Sequence, residues 1–424
     1  MVAGSHLETA LLVNEQMRHD NILLLDPGHG LGGPISFLTS FLKELDKERL
    51  RPIVALYFDE TGTVEAKIHS LGVKVYSLRK RKNLMADFHT LPRSTRHHKE
   101  ISVCRKVISN LHTSLSEFFG VVFPLTLDLL KIIKANQIKL VFLNNDPQYH
   151  LPGILAAKFS SLPCVCRKAG VGGGNKINRV LVRHIDLFIA ISRAAAADIT
   201  RFEDAKEKTV IVPAGVDLQR FTLSITGTKV KTELGIPDGK KIIGTTSRID
   251  LGKGHEELLK AIPLIIESQP DAVFLIVGDD FEFDGALLKN LKNRVHTLGL
   301  DKSVIFTGWR QDIPEILAAI DIFVQNPTSP EGLGISNLEA MAMGKPAVVT
   351  NMGGLCDSTI DGVNGFVVPA DNALALSKAI LKLMGDQDLA KLMGRNARTL
   401  AEGNFDIKKN VKKIESLIGS ILNA

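Results

Sequence analysis

The sequence predicts an α/β protein built from two Rossmann-like, doubly wound parallel-sheet domains facing a central cleft. Three observations lead there. Short apolar runs rich in Val, Ile and Leu alternate with amphipathic segments, the mark of a parallel sheet with helices on both faces. That alternation halts at a connector, PAGVDLQRF (213–221), and then restarts. At 424 residues the chain is too long for one compact core and suits two domains of about 200 residues each.

The first twenty residues are polar, mixed in charge and lack the apolar stretch of a signal peptide. They are expected to be an N-terminal extension, and Gly4-Ser5-His6 resembles a cloning scar. The first domain is expected over 21–213. Its strands are NILLLD (21–26), RPIVALYF (51–58), KVYSL (74–78), KLVFLNN (139–145), PCVCR (163–167), LFIAIS (187–192) and TVIVP (209–213). Helices are expected at Pro34–Leu45, Val64–Leu71, Leu125–Ala135 and 151–160.

The second domain is expected over 214–405. Strands KIIGTTS (241–247), AVFLIVG (272–278), VIFTG (304–308), DIFVQN (321–326) and AVVT (347–350) alternate with helices. These helices are Gly254–Glu267, 284–298, Ile313–Ala319 and one from about Ser336 to Gly344. A last amphipathic helix runs from Asp406 to Leu422. Two such units make a crevice, and open α/β sheets bind ligands beyond their strand C-termini.

Composition narrows the function. The chain is 45% hydrophobic and 23% charged, as a soluble globular protein is. Only 5% is aromatic, which argues against a stacking platform for nucleic acid, and no nucleic-acid partner is expected. Cys104, Cys164, Cys166 and Cys356 have no metal spacing, and a reducing, cytoplasmic setting is the default. No run approaches the roughly eighteen apolar residues needed to span a bilayer.

Charge is uneven. Between Arg79 and Lys106 nine Lys/Arg face two acids, Asp87 and Glu100, while the whole chain carries only +6. The plain reading is a solvated loop; the functional one is contact with anionic lipid or a phosphorylated acceptor. The next run, Ile101 to Phe119, has Val103, Val107, Ile108, Leu111, Leu115, Phe118 and Phe119 at helical spacing. It suits a membrane face or a core face equally.

The chemistry concentrates in NPTSPEGLGISNLEAMAMGKPAVVTNMGG (326–354). A Pro- and Gly-rich loop runs into a short helix, offering free N–H groups and a positive helix end to an anion. Glu331 stands in the loop and Glu339 one turn into the helix. Ser336 and Glu339 also read as a capping box, in which Glu339 would only close its own helix. Earlier, in SRIDLGKG, Arg248 follows a strand and Lys253 sits between two glycines. A bidentate Arg and a point-charge Lys at a strand end suit a diphosphate, although both residue types are common on any surface. Phosphates beside carboxylates suggest a nucleotide-sugar.

One decoy stands near the N-terminus. Gly28-x-Gly30-x-x-Gly33 follows a strand, and Asp59 and Glu60 end the next strand, where a dinucleotide reader would hold ribose. His29, Pro27 and Pro34 shape that loop, and nothing downstream offers hydride chemistry.

These blocks, in order, resemble the retaining glycosyltransferases of family 4, of GT-B fold. The matching pieces are the Gly32-Gly33 loop, IVPAGVDLQRF, SRIDLGKG and EGLGISNLEAMAMGKPAVVTNMGG, with GWRQDIPEILAAIDIFV (308–324) and IDGVNGFVVPADN (360–372) beside them. The acid pair fits that family's E-x7-E element. The resemblance implies that Glu339 holds ribose, Glu331 faces the donor sugar, and Arg248 and Lys253 hold the diphosphate. The N–H groups of Gly332, Leu333, Gly334 and Ile335 would line the donor, Gly33 would approach from the opposite domain, and Trp309 and Arg310 would meet the base. Glu331, Arg248 and Lys253 would be the catalytic set. It also implies that the helix near 406–424 crosses back to the first domain.

Many members carry a His at the end of a first-domain strand. Here that strand ends in Arg167 and Lys168, so the role does not carry over. His29, Asp146 and His150 stand near other strand ends and are candidates for the acceptor side, and Arg167 and Lys168 for attracting an anionic acceptor. The reading is therefore transfer from a nucleotide-diphosphate sugar co-substrate, with no metal or other cofactor. The acceptor is a hydroxyl of a glycan, glycolipid or small molecule, with an anionic inner-membrane surface as a further partner. The rivals are a GT-B sugar-nucleotide epimerase, which would retain its nucleoside diphosphate, and a binder without catalysis.

Overall fold

The computed structural model describes residues 19–28, 32–59, 61–79, 118–172, 176–281 and 283–424. The expectations for the N-terminal extension, for His29, and for the basic segment beyond Arg79 lie outside these residues, as does the run from Ile101 up to residue 117. Two parallel sheets organise the chain.

The N-terminal sheet comprises β1 (Asp20–Asp26), β2 (Leu50–Phe58), β3 (Lys74–Arg79), β4 (Leu140–Asn144), β5 (Cys164–Lys168), β6 (Leu187–Ala190) and β7 (Thr209–Ile211). Its order is β3-β2-β1-β4-β5-β6-β7. Around it lie α1 (Gly33–Glu44), α2 (Thr63–His69), α3 (Phe123–Ala135), α4 (Leu151–Phe159), α5 (Lys176–Val182) and α6 (Arg193–Thr200). The run Ile22-Leu23-Leu24-Leu25 is wholly buried because helices cover both faces. Ile22 and Leu24 pack with α1, whereas Leu23 and Leu25 pack with α3 and α4, the two-residue alternation of a strand. Cys164 and Cys166 share the second face as small core residues.

The C-terminal sheet comprises β8 (Ile242–Thr246), β9 (Val273–Val277), β10 (Val304–Gly308), β11 (Ile322–Gln325), β12 (Ala347–Thr350) and β13 (Gly365–Val368), in the order β10-β9-β8-β11-β12-β13. Its helices are α7 (Thr228–Glu233), α8 (His255–Ile266), α9 (Ala286–Thr297), α10 (Ile313–Ala319), α11 (Ile335–Ala342), α12 (Leu355–Ser358), α13 (Ala373–Gly385) and α14 (Gln387–Asn404). Strand order reverses between β1 and β4 in one sheet and between β8 and β11 in the other. Each reversal opens a crevice at the strand C-termini.

The last helix, α15 (Ile407–Leu422), returns to the N-terminal domain. Ile407, Val411, Ile414 and Ile418 recur at helical spacing, none more than 1% exposed, and join the core face beside α1. Burying each contributes about 1.5–3 kcal/mol, enough to fix the helix there. Its carboxylate Glu415 also accepts the Asp46 N–H at 2.6 Å.

The two chain crossings between the domains lie side by side. Val216 N–H donates to Phe405 O at 2.7 Å and Ile407 N–H donates to Val216 O at 3.2 Å. Gly215 makes this approach feasible, since a Cβ there would lie 2.4 Å from the Ile407 Cα.

Candidate active site

The site assembles at the C-terminal reversal. Beyond β8 the chain turns through Gly252-Lys253-Gly254 into α8. Both glycines have left-handed φ, +84° and +82°, and both abut the loop after β11. A Cβ on Gly254 would lie 1.8 Å from Asn326 O, and one on Gly252 would lie 2.4 Å from Ser329 Oγ. Hydrogen bonds lock the two loops, from Thr328 N–H to Gly252 O at 2.9 Å and from Asn326 Nδ2 to Gly254 O at 2.8 Å. The glycines thus bring Lys253 beside Glu331, with Nζ 2.7 Å from Oε2. Arg248, on the same strand end, reaches Asp250 at 3.2 Å.

His255, the first residue of α8, is buried and its Nε2 lies 3.1 Å from Arg248 O and 3.3 Å from Ser247 Oγ. Burial lowers its pKa, so it is a neutral imidazole that holds the backbone under Arg248. The sequence reading passed over it; its place directly after the glycine-flanked lysine was the available signal.

The loop after β11 enters α11 through Gly334 at φ +81°. Gln325 accepts the Asn337 N–H at 3.1 Å, and the Asn337 amide donates to Ser358 and Thr359, both at 2.9 Å. These bonds tie the helix start to α12. Among the described residues no acceptor meets the N–H groups of Gly332, Leu333, Gly334, Ile335 or Ser336. Five unfilled donors at a helix start make a cradle whose geometry suits an anion.

The capping box does not form. The helix starts at Ile335, one residue before the expected start, so its cap is Gly334, with no side-chain capping bond. Ser336 is therefore inside the helix, and the Glu339 carboxylate makes no hydrogen bond or ion pair with any described residue, although the backbone carbonyl accepts the Met343 N–H at 3.1 Å. Burial pushes its pKa up to about 7, opposed by the nearby Arg220 charge. An unpaired acid held at such a cost fits a ligand-facing role better than a capping one.

The N-terminal domain closes over this cradle. A Cβ on Gly33, at the start of α1, would lie 3.9 Å from Ile335 Cγ1, and one on Gly332 would lie 2.2 Å from Ala169 O. Arg193, the first residue of α6, reaches Asp357 of α12 with Nε at 2.7 Å from Oδ1, and its backbone N–H donates to the other oxygen.

Comparisons with known proteins agree with this arrangement. A model described as "Glycosyltransferase Family 4" matches residues 87–220, and one described as "Glycosyl transferases group 1" matches residues 228–400. The chain is a family 4-type glycosyltransferase. Family 4 transfers sugar with retention, and the architecture is GT-B. The chain is 29% identical over 308 residues to the Escherichia coli UDP-Gal:alpha-D-GlcNAc-diphosphoundecaprenol alpha-1,3-galactosyltransferase, covering 69% of this chain and 78% of that one. It is likewise 29% identical to the lipopolysaccharide core biosynthesis mannosyltransferase LpsB of Rhizobium meliloti, over 58% of this chain and 68% of that one. In structure it is similar to Anabaena HepE in complex with UDP and glucose, with a TM-score of 0.77, 23% identity and coverage of 95% and 100%.

Other expected site residues of this glycosyltransferase have different surroundings. Trp309 is half exposed and edge-on to Phe281, with ring centroids 5.5 Å apart. Its neighbour Arg310 is not available to a base through its side chain: Nε, Nη1 and Nη2 are all engaged by Glu233 and Asp312. Its carboxylate partners hold its pKa above the ordinary value.

On the acceptor side four expected residues are engaged in the fold itself. His150 is wholly buried against Tyr57, with Nδ1 3.3 Å from the phenol oxygen. Burial drives its pKa down to about 3, so it is a neutral core residue. Lys168 and Asp146 pair with each other at 2.9 Å, and Lys168 also binds Asp198 at 2.9 Å and Gly170 O at 2.7 Å. Asp146 in turn accepts the Ala169 and Gly170 N–H groups, so this pair shapes the turn after β5. Arg167 is buried, stacked 3.5 Å over the Phe37 ring, with one long bond to Asn144. The decoy also resolves. Asp59 is buried and accepts the Glu65 N–H at 2.7 Å, serving α2 and not a ribose.

Proposed function

We propose that this glycosyltransferase takes a sugar from a nucleoside-diphosphate donor and passes it to a lipid-linked acceptor at an anionic membrane face, without a metal cofactor. The observation that carries the donor half is the meeting of the β8 and β11 strand ends, where Arg248, Lys253 and the open N–H groups of α11 border one crevice. Charge developing on the leaving diphosphate would meet two cations and a helix start, and such preorganised groups stabilise a leaving anion directly. Glu331 and Glu339 would accept hydroxyl protons from sugar and ribose. The relatives lend the acceptor half: one acts on a diphosphoundecaprenol-linked sugar, and another on a phosphatidylinositol monomannoside.

The membrane part rests on charge and on a stripe. Phe119, Phe123 and Leu127 are spaced by four residues and are 63%, 44% and 42% exposed. They follow the segment in which nine Lys/Arg face two acids. No helix among the described residues is long and apolar enough to cross a membrane. The test is release of nucleoside diphosphate from a panel of UDP- and GDP-sugars, with and without lipid-linked acceptors and with and without a chelator. Release that needs the acceptor and ignores the chelator supports the reading. Release abolished by the chelator overturns its metal-free part, and no release with any donor overturns the whole.

A further inference from the structure

Three strand ends of the N-terminal sheet converge on the glycine loop that faces the donor cradle. Asp26 ends β1, Asn144 ends β4 and Arg167 stands near the end of β5, on the adjacent strands of the strand-order reversal. Asp26 and Asn144 are buried, and each of their side-chain polar contacts goes to an end of the loop or to the cluster itself. Asp26 Oδ1 accepts the Gly28 N–H at 2.7 Å, and Oδ2 accepts Asn144 Nδ2 at 2.7 Å. The same Asn144 nitrogen donates to Pro34 O at 3.0 Å, and Asn144 Oδ1 lies 3.4 Å from Arg167 Nη1. One amide therefore bridges the start of the loop, through Asp26, to its end at the first turn of α1.

The loop has no slack at either end. Gly28 is left-handed at φ +80°, and a Cβ there would lie 2.6 Å from Phe58 O. Phe58 N–H in turn donates to Pro27 O at 3.0 Å. At the other end Gly33 looks directly at Ile335, a residue of the α11 cradle.

We propose that Asp26 and Asn144 are positioning residues for sugar transfer, setting Gly28 and the Gly33 start of α1 where the N-terminal domain meets the bound donor. This rests on the transferase reading above and adds residues that touch neither donor nor acceptor. A carboxylate suits the task better than a neutral group. Charge-assisted bonds are shorter and about twice as strong as neutral ones, which holds the loop stiffly. Arg167 nearby offsets the buried charge, and the acid's pKa, pushed up to about 6 by burial, shows how closed its surroundings are. Holding a reacting group in place matters because a misplacement of about 1 Å can cost roughly a hundredfold in rate.

The test uses the full chain, the donor identified by the nucleotide-sugar panel and its acceptor. Asp26→Asn sets an amide against the Asn144 amide, donor against donor, and opens the bridge. Donor affinity, fixed mainly by the opposite domain, should change less than about threefold while kcat falls about 10- to 100-fold. The exchange variant Asp26→Asn/Asn144→Asp restores the pair with each other but sets a carboxylate oxygen against Pro34 O, so its kcat should stay low. Should Asp26→Asn fail to fold, Asn144→Ser removes the amide, and with it the bonds to both Asp26 and Pro34, and should lower kcat in the same way. An unchanged kcat in the soluble variants overturns the proposal. So does an exchange variant in which turnover returns, because the link to Pro34 would then be dispensable. Absence of transfer in the wild type would instead count against the transferase reading itself.

Discussion

Lys253 Nζ lies 2.7 Å from Glu331 Oε2, so the cation expected at the diphosphate and the acid expected at the sugar are one ion pair. Each side chain is about a quarter exposed, which leaves the pair open to exchange with a ligand. Removing one partner exposes the other's charge, so the two should not act additively. Lys253→Ala and Arg248→Ala should each weaken donor binding about 10- to 100-fold, as charge-assisted bonds of roughly 1.5–3 kcal/mol imply. Glu331→Gln should depress turnover more than affinity. The double variant Lys253→Ala/Glu331→Gln should lose less than the two single losses combined. Donor titration calorimetry and steady-state rates read all four, and strict additivity would show that the pair is incidental.

Glu339 gives a pH signature. Its pKa is raised from the ordinary 4.5 to about 7 by burial. Between those values the folded protein holds a proton that the unfolded chain has released. This contribution to stability is complete below about pH 4.5 and is lost as pH rises through about 7. Glu339→Gln should flatten that part of the melting-temperature profile. Donor binding should run the other way, because a ribose hydroxyl prefers the ionised carboxylate. Affinity for an intact nucleotide-sugar should tighten between pH 6 and 8 in the wild type and stay weak and flat in Glu339→Gln. A pH-independent wild-type affinity would remove Glu339 from the ribose site.

The domain seam should respond to Asp357. Its carboxylate holds both the Arg193 side chain and the α6 backbone, while Asn337 ties α12 to the donor helix. The free thiol of the neighbouring Cys356 is exposed and offers a probe. Asp357→Asn should loosen the seam, giving a several-fold faster alkylation of Cys356 and a smaller compaction on donor binding by small-angle scattering. Arg193 is largely exposed, and exposed pairs contribute only about 0–1 kcal/mol, so the melting temperature should barely move. Identical scattering with and without saturating donor, in wild type as in variant, would exclude closure on the donor.

Membrane association is read by co-sedimentation with anionic vesicles. Each Lys/Arg near such a surface contributes about 1 kcal/mol, and salt screens it. Binding should fade as salt rises. Neutralising Arg79 to Lys82 together should weaken it while donor affinity stays unchanged. Failure to sediment at low salt would point to a soluble acceptor.

Much of this architecture was legible in the sequence, because parallel strands covered on both faces are unbroken apolar runs. NILLLD, AVFLIVG and AVVT needed no neighbours to be recognised. The seam and the short helices were not legible. Half of the residues at 193–200 are alanine, and α12 is only four residues long, so neither carries a stripe of large apolar side chains. In the site, Lys253 and Glu331 stood out because charge beside glycine lacks a structural excuse, Arg248 because it follows a strand close to Lys253, and Glu339 because it shares its platform with Glu331. His255, Asn144 and Asp26 did not, since a polar residue at a strand end is ordinary until its partners, far away in sequence, are known. The acceptor side misled for the converse reason. His150 and Lys168 are chemically suggestive residues that folding uses for itself.

The side-by-side crossings at Val216 and Phe405–Ile407 have one more consequence. Everything from Asp217 to Asn404 leaves and rejoins the rest of the molecule at a single point. The half that carries Lys253 and Glu331 is a cassette inserted into the chain of the other half, with its two leads already touching. The leads are not all that holds it: Ala190, Ile191, Ala195 and Ala196 share a buried cluster with Leu333, Leu338 and Leu355, so the cassette also rests on an apolar floor that a splice between Gly215 and Ile407 would strip bare.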